Sequence, residues 1–211
     1  MTNYVDAINE ANICAVSFCV DSDLLSQWRG YTDQGVGYFI GFHANALMDI
    51  ARNNTCQIAK CIYDQELQLK ILDELIDGVL ISATKYWDNH TSTEDTQVAV
   101  GKEFNKALIE CGAFFKDTAF KEEREWRIVT SLKKYNDAGF CFREGKSMLT
   151  PYFRLKIRNG ESWANKIAGV TVGPCPHPEQ AKRAVEGFLA KKIVGSPVPK
   201  VTVSKIPYRS W

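Results

Sequence analysis

Three charged side chains, Glu123, Glu125 and Arg127, stand at alternate positions around a tryptophan, Trp126. If this segment is a β-strand, the three side chains share one face and Trp126 lies on the other. Paired carboxylates suit acid–base chemistry or the stabilisation of a developing cation, because like charges raise one pKa while a neighbouring arginine favours ionisation. The alternative interpretation is a solvated strand face with weak Glu–Arg pairs, and these residues alone favour it.

A second chemically suggestive segment is Asp23–Tyr31, which the spacing of its apolar residues predicts to be a short helix capped by an acidic or hydroxyl residue near Asp23. Trp28 and Tyr31 fall on the apolar stripe of that helix, where core packing is commoner than a ligand platform. Arg29 adjoins the tryptophan and is suited to hold a phosphate or carboxylate in a bidentate manner, with a structural ion pair as the alternative. Trp28 and Trp126 are both predicted to be largely buried.

Several common catalytic motifs are absent from the sequence. Ser17, on a predicted strand, is not in a Gly-x-Ser-x-Gly elbow, and the three histidines have no partner fixed by spacing. The glycines form neither a phosphate-binding loop nor a dinucleotide-binding fingerprint. Seven cysteines without a Cys-x-x-Cys pair predict reduced, mostly buried thiols, and no metal site is expected.

Composition predicts a single soluble domain over residues 1–211. Hydrophobic residues make up 45% of the chain, and 26 Lys and Arg nearly balance 25 Asp and Glu, which gives a net charge of +1. This balance provides no global attraction to nucleic acid or to acidic membranes, but it does not exclude a local basic patch. Because neither a signal peptide nor an apolar run of membrane-spanning length is recognised, we expect a cytoplasmic protein with no membrane partner.

The periodicity predicts an α+β fold, with a mixed, mainly antiparallel sheet and helices packed against it. A two-helix insertion packed on the sheet is predicted over about residues 64–115. Strands are predicted at 13–20, 35–42, 57–63, 123–131, 140–143, 152–157, 167–172 and 201–204, and further helices at 44–52 and 178–191.

Several short motifs, in this order, resemble a bacterial family, the domain of unknown function 2971. The motifs are Val16–Cys19, Asp23–Tyr31, Gly37–Phe42, Glu123–Arg127, Val172–Pro174 and Ser204–Arg209. Members of this family usually carry an N-terminal strand segment ahead of the first motif, and this chain is expected to lack it. The missing strand would leave an unpaired sheet edge near Val16–Val20, which favours association of copies into a homo-oligomer.

The resemblance implies no established activity, but the family's order of elements is similar to that of ADP-ribosyltransferases. It implies an NAD-handling effector, an ADP-ribosyltransferase or NAD glycohydrolase-like enzyme acting on a nucleotide or a protein target, with a role in phage defence. Its site would have Glu125 as the catalytic carboxylate, Glu123 supporting it, and four positioning residues: Ser17, Arg29, Tyr31 and Arg127. The alternative is a non-enzymatic ligand-sensing or protein-interaction module.

Overall fold

A computed structural model describes residues 12–32, 37–88, 93–157, 163–194 and 196–207. The protein has the predicted α+β fold, and its small sheets are mainly antiparallel. In chain order the elements are β1 (Ala15–Phe18), α1 (Leu25–Tyr31), β2 (Tyr38–Phe42), α2 (Ala44–Asn53), β3 (Cys56–Lys60), α3 (Gln65–Asp88), α4 (Thr93–Gly112), β4 (Trp126–Thr130), β5 (Phe140–Glu144), β6 (Leu149–Phe153), β7 (Ile167–Val172), α5 (Pro178–Lys192) and β8 (Lys200–Val203). Two 3-10 helices, Thr118–Glu123 and Trp163–Lys166, precede β4 and β7.

The chain forms two compact units. The first comprises Met1–Phe18 and Asn54–Leu155, and the second comprises Cys19–Asn53 and Lys156–Trp211. The described strands form three sheets, in the orders β1-β4-β3, β2-β7-β8 and β5-β6, where the sequence predicted one.

The first unit is organised around β4, which lies between β1 and β3 with antiparallel pairing on both sides. Since a central strand is shielded by both neighbours, Ile128, Val129 and Thr130 are buried. Within the described part of this sheet β1 is an edge strand, and three of its four residues are exposed.

Helices α3 and α4 pack mainly against each other. The predicted helical insertion is present, but it does not use a sheet as its principal packing surface. Accordingly, large apolar side chains of α3 such as Leu69 and Leu80 stay exposed. None of the helices in the described ranges combines the length and the apolar character needed to cross a membrane.

The second unit packs α5 against a sheet in which β7 is central. Strands β7 and β8 are parallel and α5 is the crossover between them, whereas β2 is antiparallel to β7. The core of this unit consists mainly of aliphatic side chains from β7, α5 and β8: Val170, Val172, Leu189, Ile193 and Val201. The helix α5 begins at Pro178, as the sequence predicted, because proline is favoured in the first turn of a helix, where its missing amide hydrogen has no partner to lose.

The predicted side-chain cap of α1 is wrong. The cap position is Leu24, with no side-chain hydrogen bond to the helix. The carboxylate of Asp23 instead accepts hydrogen bonds from Trp28 Nε1 at 2.8 Å, from Ser204 Oγ at 2.5 Å and from the Lys205 amide at 2.7 Å. Two of the motifs recognised in the sequence therefore meet at Asp23, where they fix the buried Trp28.

Candidate functional site

Glu125 is the centre of a buried ion-pair cluster in the first unit. Only 3% of the residue is exposed. Arg127 donates from Nε to Glu125 Oε1 at 2.8 Å and from Nη2 to Oε2 at 3.3 Å. Lys116 Nζ lies 2.5 Å from Glu125 Oε2 and also donates to Glu123. We call Lys116, Glu123, Glu125 and Arg127, together with Ser17, the Glu125 cluster.

The backbone before β4 brings the two carboxylates to the same lysine. A 3-10 helix ends at Glu123, and the next residue, Arg124, is left-handed with φ 43°. This turn replaces the strand that the sequence predicted over Glu123–Ser131, since β4 begins only at Trp126. Glu123 and Glu125 therefore converge on Lys116 through a tight turn and not through strand alternation.

The main chain of Glu125 is also held on both sides. Its amide donates to the hydroxyl of Tyr63 at 2.8 Å, and its carbonyl accepts from the Cys61 amide at 2.8 Å. Arg127 is anchored further by its Nη1, which donates to the Ala113 carbonyl at 2.5 Å. The cluster therefore ties the ends of β3, α4 and β4 together.

Charges within the cluster balance. Burial alone would raise the pKa of Glu125, but hydrogen bonds from Arg127, Lys116 and Ser17 outweigh it and lower the pKa to about 2. The pKa of Lys116 is raised: burial opposes its charge, but the hydrogen bonds to Glu123 and Glu125 prevail. Two carboxylates and two cations thus face one another in a site that is almost closed to water.

Cys61 lies beside the cluster as an unreactive thiol. Burial, reinforced by the charge of Glu125, raises the pKa of Cys61 to about 11. Burial also raises the pKa of Tyr63. Since the thiolate is the nucleophilic form of cysteine, Cys61 is not prepared for covalent chemistry at neutral pH.

The structure brings four of the six predicted site residues together. Ser17 on β1 lies opposite Arg127 on β4, and its side chain hydrogen-bonds the carboxylate of Glu125. The other two, Arg29 and Tyr31, lie in α1 of the second unit and are exposed, Tyr31 by 72%.

One expectation about this segment is wrong. Glu125 does not lie on a solvated strand face, because Tyr63 and Ala113, which follow β3 and α4, contact Glu125 and its partner Arg127. Trp126 is less deeply buried than Trp28, and the ammonium of Lys60 lies over its ring at 5.4 Å. Trp28 is buried as predicted, with 8% of the residue exposed.

Sequence reasoning missed Lys116, Cys61 and Tyr63. Lys116 follows the end of α4 and precedes Asp117, which caps the 3-10 helix by accepting from the Ala119 amide at 2.8 Å. Asp117 could have been recognised in the sequence as a helix cap. Nothing in the spacing, however, predicts that Lys116 pairs with carboxylates seven and nine residues later.

A small pocket of about 250 Å³ adjoins the cluster. Its lining comprises aromatic, amide, hydroxyl and charged side chains: Tyr63, Gln65, Gln68, Phe115, Lys116, Asp117 and Thr118. Tyr63 and Lys116 belong to both the pocket and the surroundings of Glu125. Gln68 stabilises the wall by donating its amide nitrogen to the carbonyls of Ile62 and Lys116, at 2.6 and 3.1 Å.

The second unit has a separate pocket of about 410 Å³ at the start of α2, lined by His43, Asn45, Asp49, Asn165 and Lys166, among others. Over the part of the chain that the structure describes, His, Cys, Asp and Glu side chains form no group of three or more that could hold a metal ion.

Comparison with protein families finds a matching model. Residues 27–128 match the family described as a protein of unknown function, DUF2971, and this stretch contains Trp28, Lys116, Glu125 and Arg127. Neither the comparison with curated proteins nor the one with solved structures returned a match.

Proposed function

We propose that this chain, which carries a DUF2971-like domain over residues 27–128, is a small-molecule-binding module in which the Glu125 cluster is structural. The observation that carries the proposal is the burial of Glu125 together with the compensation of its charge by Lys116 and Arg127. A carboxylate already paired with two cations has little charge left for a cationic transition state. Its principal effect is to hold the surrounding elements in place.

The adjoining pocket is the proposed binding site. At about 250 Å³ it is slightly smaller than the pockets that hold drug-sized ligands, so it suits one ring or a group of similar size. Tyr63 and Phe115 provide aromatic surface, and Gln65 and Thr118 provide polar groups at the walls. Since Lys116 is neutralised by its carboxylate partners, we expect a neutral polar ligand rather than an anion.

Calorimetry on the full chain tests this proposal, with nicotinamide and adenosine as neutral probes and with NAD, an anion, for comparison. Gln65 lines the pocket and is exposed, so Gln65→Trp should block the pocket without a loss of thermal stability. Gln65→Ala is the matched control and should leave the pocket open. Equal binding by the wild type and Gln65→Trp would contradict the proposed site.

A second candidate is the NAD-handling, ADP-ribosyltransferase-like or NAD glycohydrolase-like enzyme, with a role in phage defence. The hydrogen bond between Ser17 and the carboxylate of Glu125 favours it, because it places a hydroxyl group of β1 beside the carboxylate that this candidate makes catalytic. In this candidate Glu125 is catalytic, Glu123 supports it, and Ser17 and Arg127 position NAD.

Glu125→Gln separates the two candidates, since it removes the charge and keeps the shape. For the binding module we expect a lower melting temperature and unchanged ligand affinity at a temperature where the variant is folded. For the enzyme we expect loss of NAD consumption with a nearly unchanged melting temperature.

A further inference from the structure

Strands β5 and β6 form a two-stranded ribbon in the first unit, with Phe142 opposite Pro151. Neither strand pairs with a third strand in the described ranges, and the main packing of each is with the other. We call residues 133–156, which contain the two strands and their flanking segments, the β-ribbon. An isolated two-stranded hairpin is marginal in water, so a ribbon with large exposed side chains is a natural place to look for a partner.

One face of the β-ribbon carries an aromatic cluster. Phe140 and Phe142 share that face because they are two residues apart on one strand. The ring of Tyr135 lies 5.3 Å from that of Phe140 and 5.8 Å from that of Phe142. Tyr135 and Phe142 are about half exposed, at 51% and 48%, so aromatic surface is accessible to a ligand.

Cationic side chains lie over aromatic rings on both faces of the β-ribbon. On the opposite face, the guanidinium groups of Arg143 and Arg154 lie 6.0 and 5.8 Å from the ring of Tyr152, and Arg154 also donates to the Tyr152 hydroxyl at 3.2 Å. The ammonium of Lys133 lies 5.1 Å from the ring of Phe153. Both arginines are exposed.

Net charge distinguishes the β-ribbon from the rest of the protein. Residues 133–156 contain six Lys and Arg against two Asp and Glu, a local net charge of +4 in a chain whose net charge is +1. The remainder of the chain is therefore slightly acidic, and the positive charge is concentrated where the aromatic rings are exposed.

We propose that the β-ribbon binds single-stranded nucleic acid. Bases stack on exposed aromatic faces without regard to sequence, and arginine and lysine pair with the phosphates between them. The combination of accessible rings with local positive charge matches both requirements. This site is separate from the pocket beside Glu125, so the proposal does not depend on the proposed function.

Fluorescence polarisation with labelled oligothymidylate and oligouridylate tests the proposal on the full chain. We expect binding that weakens as salt is raised. Phe142→Leu keeps an apolar side chain but removes the ring, so it should weaken binding about tenfold or more. The double change Arg143→Gln with Arg154→Gln should reduce the slope of log affinity against log salt by about 1.4, since each phosphate contact on a single strand contributes about 0.7.

The matched control removes two positive charges elsewhere. Lys182→Gln with Lys191→Gln, on α5 of the second unit, should leave both affinity and salt slope unchanged. Melting curves check that every variant is folded. The proposal is overturned if the wild type does not bind at low salt, or if folded Phe142→Leu and the double arginine variant bind as the wild type does. It is also overturned if phosphatidylserine vesicles, and not the oligonucleotides, bind in a manner that requires Phe142.

Discussion

Lys116 Nζ and Glu125 Oε2 lie 2.5 Å apart where both side chains are shielded from water, Lys116 by 87% and Glu125 by 96%. Charges removed from water in this way depend on each other, because neither can regain its hydration without opening the fold. Arg127 completes the pairing of Glu125, and Glu123 that of Lys116. The local fold should therefore be sensitive to the loss of any one member.

Removing the charge of Glu125 should destabilise the protein strongly. Glu125→Gln leaves Lys116 and Arg127 with one carboxylate fewer in a buried place, and breaking a buried pair in this way typically costs about 3 to 5 kcal/mol. Urea denaturation of the full chain measures the change. The control is Glu103→Gln on exposed α4, which should change the free energy of unfolding by less than about 0.5 kcal/mol. Equal effects of the two changes would show that the cluster is not structural.

Protonation of Glu125 should also make the folded protein less stable in acid. The pKa of Glu125 is about 2 in the folded protein and 4.5 ordinarily. As the pH falls, this carboxylate is therefore protonated in the unfolded chain at a higher pH than in the folded protein. The stabilisation is fully present above pH 4.5 and is lost as the pH falls towards 2, and it amounts to about 3 kcal/mol. Glu125→Gln should therefore show a shallower loss of stability over this range in denaturation curves taken at several pH values.

Some acid sensitivity should persist in that variant. Burial would raise the pKa of Asp23, but hydrogen bonds from Ser204, the Lys205 amide and Trp28 lower it. Asp23 therefore contributes in the same direction as Glu125. If the wild type and Glu125→Gln lose stability in parallel between pH 4.5 and 2, the ionised state of Glu125 is not the source of the effect.

The sequence predicted elements well where burial imposes a regular pattern. β7 was predicted with its observed bounds, because its alternating pattern and its valines are typical of a strand, and its second half is buried. The segment before β4 was predicted wrongly as strand, since alternation of charged and apolar residues also fits a turn with Arg124 in a left-handed conformation. The partner Lys116 could not be predicted, because the turn that brings it to Glu125 depends on tertiary contacts with Tyr63 and Ala113, which follow β3 and α4.

Gly173 should not tolerate a side chain. A Cβ at this position would lie 2.8 Å from the ring of Trp28 and 3.0 Å from the Gly37 carbonyl. Gly173→Ala should therefore lower the melting temperature. Gly187→Ala is the matched control, because a Cβ there meets nothing within 4 Å and α5 gains helix propensity, which stabilises by about 0.5 to 1 kcal/mol. Opposite shifts for the two variants are expected in thermal melts, and a stabilised Gly173→Ala would contradict the packing described for Trp28.

The two tryptophans predicted to be buried should differ in their contributions to stability. Trp28→Ala removes a buried ring and its hydrogen bond to Asp23, and should cost about 3 to 5 kcal/mol. Trp126→Ala should cost clearly less, since that ring is less deeply buried than Trp28 and a lysine side chain lies over it. Denaturant midpoints of the two variants measure the difference. Equal losses would indicate that Trp126 packs as tightly as Trp28.

Cys61 should react slowly with thiol reagents in the folded protein. Its pKa of about 11 leaves on the order of one thiol in a thousand ionised at pH 8, and only 6% of the residue is exposed. Iodoacetamide labelling followed by peptide mass spectrometry measures the rate at this position, and the denatured chain, in which the thiol regains its ordinary pKa, is the control. We expect labelling at pH 8 to be at least about a hundred times slower in the folded protein, from the thiolate fraction alone. Labelling at similar rates in the folded and denatured chain would mean that the carboxylate of Glu125 and the surrounding fold do not shield Cys61.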